Sequence, residues 1–403
     1  MKLKSLLFGS AAVIAAGTGA QAADLPIVEP VEYVRICDAF GAGFYYIPGT
    51  DTCLKIGGYV RAESHWVNGD SDSLTALYND FDEDVNNWTT RARGQVNLDA
   101  RTETDFGLVR SYIALEMTVG PGATTGDTNN DDAGYAGTGA NLAAAFIQVS
   151  NDWGTYTAGH TGSFFDFFGS NGWGTRLNTD DPTGEQTLFA WTFAGGNGFS
   201  FTLSAEDPST GSRRFAGDDD YGGQEAPDGV ANIRVDQGWG SAQIMGAVRH
   251  FHDDEDTDDI GFAVGAGLSL GIPGGWSLDA QGGYAEGALR YVTTDPHPDG
   301  SVGDWDAGED ANQAWSVRAG INGPLFANLN AWLDGSYTDV EEDDDGDSYE
   351  FWAAKAGAAW TPTPGLVMGP EVAFNHFEED DVDDTSDSEY DVWGVMWRVQ
   401  RSF

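Results

Sequence analysis

The chain has 403 residues, with 65 acidic against 19 basic side chains, a formal net charge of -46 and 12% aromatic residues. Nothing in such a balance neutralises phosphates, so DNA and RNA binding are excluded, and the aromatic content is too high for disorder. Beyond the N-terminal segment no apolar run approaches the length of a membrane helix, so entry into a membrane requires a closed barrel.

Residues 1–22, MKLKSLLFGSAAVIAAGTGAQA, place Lys2 and Lys4 ahead of an apolar run from Leu6 to Ala16 and an Ala20-x-Ala22 cleavage pattern. This is the layout of a secretory signal peptide, and the run is shorter than the roughly 20 residues a membrane anchor needs. The mature chain is expected to start at Ala23, outside a reducing cytoplasm. There the only two cysteines, Cys37 and Cys53, are expected to form a disulfide. Two thiols are too few for structural zinc and wrongly spaced for Cys-x-x-Cys exchange.

From Leu54 onward the chain reads as strands: 54–66, 88–101, 103–119, 140–150, 153–159, 187–195, 198–207, 229–237, 239–251, 260–271, 275–292, 310–321, 325–337, 349–360, 365–377 and 389–403. In WTTRARGQVNLDAR, Trp88, Ala92, Val96 and Leu98 share one parity, while Arg91, Arg93, Gln95, Asn97 and Asp99 share the other. That period of two gives one apolar and one polar face. The same alternation sets Ile56 and Val60 against Arg61 and Glu63, Ile113 and Met117 against Arg110 and Glu116, Ile233 against Arg234, and Leu333 against Trp332 and Asp334. Segments of about 9–11 residues or more suit tilted strands that cross a bilayer, and an even number brings both ends to one side.

The acid is gathered between strands, in DDEDTDD at 253–259, EEDDDGD at 341–347 and EEDDVDDTSDSE at 378–389. Short connections such as Ala194–Gly198, Gln237-Gly238, Ile272–Gly275 and Thr361–Gly365 alternate with the long ones, as periplasmic turns alternate with external loops. In the last segment Trp393, Val395, Trp397, Val399 and Phe403 share one parity, with Arg398 and Gln400 on the other and Arg401 breaking the apolar face near the end. A final strand of this kind is expected to close the barrel against the first.

The leader, the opening ADLPIVEPVEYVRICDAFGAGFYYIPGTDTCLKIGGYVRAE from Ala23 to Glu63 and the terminal VWGVMWRVQRSF closely resemble the alphaproteobacterial general porins of rhizobia and brucellae. The resemblance implies an all-β, transmembrane antiparallel barrel of 16 strands, a homotrimer, residing in the outer membrane and passing small hydrophilic solutes. It implies three divisions: a signal peptide at 1–22, a periplasmic segment with the disulfide loop at 23–53 and a barrel at 54–403. It also implies that Phe403 is read by the barrel assembly machinery, and that the segment 161–186, TGSFFDFFGSNGWGTRLNTDDPTGEQ, folds inward as a constriction loop. Phe164, Phe165, Phe167, Phe168 and Trp173 would anchor it, glycines would bend it, and Asp166, Asp180, Asp181 and Glu185 would face the pore. The opposite wall would then supply Arg61, Arg91, Arg93, Arg110 and Arg234, with Arg249 and Arg318 as further candidates. These arginines could instead pair locally with Glu63, Asp99 and Asp236.

The surplus of acid leads to an expected cation preference. The long acidic loops have no EF-hand spacing, so calcium or magnesium held weakly there, bridging to lipopolysaccharide, is the most that is expected of any cofactor. An enzyme is not expected: the six histidines are scattered, His250-x-His252 offers only two ligands, His376 reads as surface chemistry beside an acidic loop, and there is no Gly-x-Ser-x-Gly. A substrate-specific channel for a sugar or organic solute is the alternative, with Tyr59, Tyr112 and Trp332 too dispersed to form a track. A soluble acidic adhesin would not explain the even strand number together with the terminal aromatic.

Overall fold

A computed structural model describes residues 35–68, 87–120, 138–174, 177–210, 224–252, 258–294, 311–342, 348–380 and 388–403. The chain divides into Met1–Arg35, where the expected leader 1–22 lies outside the described residues, and Ile36–Phe403. Much of the three acidic runs also falls outside the described residues.

After a two-residue strand β1 (Tyr45–Tyr46), the wall is built by β2 (Cys53–Val67), β3 (Trp88–Thr104), β4 (Gly107–Val119), β5 (Thr138–Asn151), β6 (Gly154–Gly162), β7 (Glu185–Gly196), β8 (Phe199–Asp207), β9 (Asp228–Gln237), β10 (Gly240–His252), β11 (Asp258–Ile272), β12 (Trp276–Glu286), β13 (Gln313–Phe326), β14 (Leu329–Glu341), β15 (Ser348–Thr363), β16 (Leu366–Asp380) and β17 (Ser388–Ser402). Each pairs antiparallel with its sequence neighbour. The sheet closes where β17 pairs with β2, in a register that sets Arg398 opposite Glu63 and Gln400 opposite Arg61. The expected closure of last strand on first is therefore found, and the sixteen expected segments correspond one to one with β2–β17. No helix among the described residues is long and apolar enough to cross a membrane.

Several boundaries differ from expectation: the turn expected at 322–324 lies at 327–328 between β13 and β14, and β4 begins at Gly107 instead of 103, while two further shifts bear on the lumen. The segment 275–292 leaves the wall at Glu286, and Leu289–Tyr291 form a short 3-10 turn with Leu289, Tyr291 and Val292 buried. The inward loop is shorter than 161–186, since β6 runs to Gly162 and β7 begins at Glu185.

The inside-out distribution follows from the period of two. Ile56, Val60, Leu115, Met117, Ile244, Leu333 and Trp397 are exposed, whereas Glu63, Arg91, Gln281, Arg318, Asp334, Lys355 and Glu371 are buried. In water so wide an apolar exterior would drive association; in lipid it is the stable surface. Outward aromatic pairs, Trp66–Trp393 at 5.1 Å, Trp352–Phe374 at 4.9 Å and Trp315–Tyr337 at 5.0 Å, lie toward the end of the long connections. Such rings suit the membrane interface.

At the other end, Cys37 and Cys53 are disulfide-bonded with their Cα atoms 6.0 Å apart. Tyr45 and Tyr46 pair with Leu54 and Cys53, just beyond the point where β17 stops against β2 at Tyr59. The last residue, Phe403, exchanges backbone hydrogen bonds with Gly58, at 3.2 and 3.1 Å. The cysteine-bounded hairpin thus continues the seam on the stretch of β2 that the C-terminal strand does not reach, satisfying edge groups that would otherwise be unpaired.

Candidate functional site

The connection from Gly162 to Glu185 is tied to side chains that share the inward parity of the wall. Gln281 Oε1 on β12 accepts the backbone N–H groups of Phe167 and Phe168 at 2.9 and 2.8 Å. Asp334 on β14 accepts those of Asn171 and Gly172 at 3.0 and 2.7 Å, together with the Asn171 amide at 2.8 Å. Glu371 on β16 accepts those of Trp173 and Gly174 at 2.6 and 2.8 Å, and the Trp332 indole at 2.9 Å. A loop removed from water cannot leave its backbone groups unpaired, and the wall supplies one side-chain amide and two carboxyl groups to accept from it. Cations complete the cradle: Arg318 donates to the Phe168 carbonyl, and Lys355 Nζ donates to Ser170 Oγ at 2.8 Å and to Asn178.

The aromatic residues expected to anchor this loop do so. Phe165 is fully buried against Tyr291, with ring centroids 5.0 Å apart. Trp173 packs on Trp332 at 4.8 Å and lies under the Arg398 guanidinium at 4.9 Å. Two small residues admit the loop. A Cβ on inward-facing Gly267 would come within 2.3 Å of the Phe167 ring, and one on Gly172 within 2.5 Å of the Glu371 carboxylate. The segment after β12 also contributes, for Tyr291 donates to Asp228 at 2.8 Å while Thr294 donates its N–H and hydroxyl to Asp180 at 2.8 and 2.7 Å.

The four acidic residues expected to face the pore take three different places. Asp180 is buried, held by Thr294, by the Thr338 hydroxyl and, through its own N–H, by Ser336 Oγ at 2.8 Å, so it fastens the loop. Asp166 and Asp181 are half-buried in the loop itself, accepting from Gly184 N–H at 3.0 Å and from Thr183 N–H at 3.2 Å respectively. Glu185 is exposed and shares the parity of exposed Phe189 and Trp191, not that of buried Leu188 and Ala190. Of the four residues expected to face the pore, Asp180 is thus a fastener of the loop and Glu185 already stands in the β7 ladder.

The arginines keep their inward parity, and their local pairing is what the sequence left open. Arg91 donates to Glu63 at 2.6 Å, Arg93 meets Glu116 at 2.7 Å, and Arg110 forks onto Asp99 at 3.1 Å through both Nε and Nη2. Arg61 donates to Gln400 at 2.8 Å. Arg234 is half-buried, paired with Asp236 at 2.8 Å, and lies 5.1 Å over the Phe167 ring. Arg249 is buried with Asp228 at 3.0 Å. Arg61, Arg91, Arg93 and Arg110 stand on β2–β4, whereas the loop's hydrogen bonds to the wall run from Glu206 on β8 round to Arg398 on β17.

Sequence reasoning did not select Asp334, Glu371, Gln281, Lys355 or Arg398 as site residues. Their inward parity was the available signal, but each lies more than a hundred positions from the loop residues it holds. Toward the connection between β16 and β17, His376 Nδ1 is hydrogen-bonded to Asp391 at 2.8 Å, with Glu378 at 3.8 Å and Glu389 within reach of the same point.

A family model described as Porin subfamily matches residues 24–395. Porin Omp2b of Brucella suis is 31% identical over 434 residues, covering 100% of both chains, and Porin Omp2b of Brucella abortus (strain 2308) is 30% identical over 416 residues with the same coverage. Among solved structures, the outer membrane channel DcaP of Acinetobacter baumannii superposes with a TM-score of 0.66 at 18% identity, over 89% of this chain and 99% of that one, a likeness of fold.

Proposed function

Because this chain belongs to the porin subfamily, an integral outer-membrane β-barrel that is a channel rather than an enzyme, we propose that it is a passive, water-filled route for small hydrophilic solutes and ions, with a preference for cations. The observation that carries the reading is the grip of Asp334 and Glu371 on the backbone of 171–174, which fastens a loop across one side of the lumen. The waist then lies between that loop, with Asp166 and Asp181, and the wall bearing Arg61, Arg91, Arg93 and Arg110. Guanidiniums facing carboxylates across water order the solvent and sort solutes by size and charge. The cation preference comes from the net charge of -46, which concentrates cations at the mouths.

The working form is a homotrimer in contact with outer-membrane lipids and lipopolysaccharide, the leader 1–22 is removed on export, and Phe403 is read during barrel assembly. Calcium or magnesium binds weakly at the acidic external loops. In planar bilayers with a tenfold salt gradient the purified protein is expected to give a cation-selective reversal potential that shrinks as total salt rises, because the Debye length falls from about 10 Å at 0.1 M to about 3 Å at 1 M. An anion-selective potential at low salt would remove the preference and leave the channel.

A further inference from the structure

Where β16 and β17 run toward their connection, four side chains able to hold a metal occupy two successive cross-strand pairs. His376 stands opposite Asp391, and Glu378 stands opposite Glu389. Residues two apart on a strand share a face, so all four lie together on the parity of exposed Val372 and Trp393, away from the lumen. In the sequence His376 is only a neighbour of an acidic run; the ladder brings the far side of that run back to it.

Two features of this square favour a cation. The first is electrostatic: Glu378 has Glu350 as its partner on one side and Glu389 on the other, and like charges directly opposite destabilise a sheet. Among the described residues no lysine or arginine pairs with Glu378, Glu389 or Asp391. The second is the imidazole. Its ring packs on Trp352 with centroids 5.3 Å apart, while Nδ1 lies 2.8 Å from Asp391 and Nε2 3.8 Å from Glu378. A histidine that holds a metal through one nitrogen commonly gives the other to a carboxylate. One ring nitrogen and one oxygen each of Glu389 and Asp391 already lie within 4.8 Å of one another. Ligand atoms about 3.3 Å apart make a tetrahedral zinc site with bonds of about 2.0–2.1 Å. Rotation of the two exposed carboxylates toward the His376 side chain, itself 13% exposed, covers the difference.

We propose that His376, Glu389 and Asp391 bind a divalent transition-metal ion, zinc above all, with Glu378 supporting the imidazole from behind. The imidazole separates this site from one for calcium or magnesium, which take oxygen ligands and gain nothing from a ring nitrogen. Bound zinc joins β16 to β17 and offsets the opposition of Glu378 and Glu389, so it tightens the strand that closes the barrel. The proposal is independent of how the lumen conducts.

The test is calorimetric titration of zinc chloride into the chelator-stripped, detergent-solubilised barrel, repeated with calcium chloride in large excess. Saturable zinc binding that survives the calcium is expected, together with a higher temperature for loss of the folded barrel. In His376→Gln zinc affinity is expected to fall about tenfold or more while calcium binding is unchanged. Asp391→Asn is expected to weaken zinc as well, and it carries the test if His376→Gln does not assemble as a heat-resistant barrel. Copper(II) supplies a direct signature: the electron paramagnetic resonance spectrum of the copper-loaded protein is expected to show nitrogen hyperfine splitting that His376→Gln abolishes. Displacement of zinc by calcium, which would mean an acidic surface only, or unchanged zinc affinity in whichever variant assembles, overturns the proposal.

Discussion

The wall β12–β17 and the wall β2–β4 present the same kinds of inward side chain and use them differently. On the first, Gln281, Asp334, Lys355 and Glu371 are consumed by the backbone and side chains of one loop. On the second, Arg93 with Glu116 and Arg110 with Asp99 pair across adjacent strands, Arg61 meets Glu63 on its own strand, and these five, Glu63 apart, keep part of their surface toward the lumen. Residue type and parity decide that a group points inward. Whether it becomes scaffold or lining depends on whether the loop lies over it.

That difference marks how far the sequence could be read. Strand parity is a local property with a period of two, so Ile56, Val60, Met117 and Leu333 disclosed the lipid face and the wall was legible almost strand by strand. The aromatic content of 164–173 likewise disclosed a segment that packs. Partner choice is not local. Asp180 read as a pore acid because nothing nearby in the chain says that Thr294 and Thr338 fold back onto it. Glu185 read as part of the loop because the loop's exit could not be fixed to the residue. Arg398 had the correct parity, yet its pairing with Glu63 spans nearly the whole chain and exists only once the barrel closes.

The contrast between the walls is broken most severely by freeing the loop. In Asp334→Ala/Glu371→Ala the loop loses several charge-assisted hydrogen bonds, each worth roughly 1.5–3 kcal/mol, while the wall ladders are untouched. Single-channel conductance is expected to rise severalfold with added current noise, and the barrel is expected to remain folded by circular dichroism. Conductance equal to that of the unmodified channel would mean that the segment 163–184 does not set the waist.

A smaller effect on conductance, with a larger one on stability, is expected where the uncovered wall is made to lose its own acid. Glu63→Gln leaves Arg91 and Arg398 buried without their carboxylate, and removing one partner of such a pair costs about 3–5 kcal/mol. The temperature at which the assembled protein dissociates should fall markedly. The reversal potential should shift toward anions, since the cluster gains a further unit of positive charge. A shift of the opposite sign would show that this wall does not line the conducting path.

The smallest change in conductance is expected from Cys37→Ser/Cys53→Ser. The hairpin it loosens lies at the seam, where Tyr45 and Tyr46 cover the part of β2 below the last residue. A loop of this size closed by a disulfide contributes roughly 3 kcal/mol through the entropy of the unfolded chain, so heat resistance should drop while the open-channel current stays nearly the same. The hairpin does touch inward-facing groups: Lys55 lies 5.9 Å over the Phe44 ring, and Arg101 lies 4.9 Å over it and is forked onto Asp99, which also holds Arg110. A substantial change in current on breaking the disulfide would therefore trace through Arg101 and Asp99 to Arg110. It would extend the lining of the uncovered wall down to the cysteine-bounded hairpin, making the cysteine pair part of the pore's support as well as of the seam.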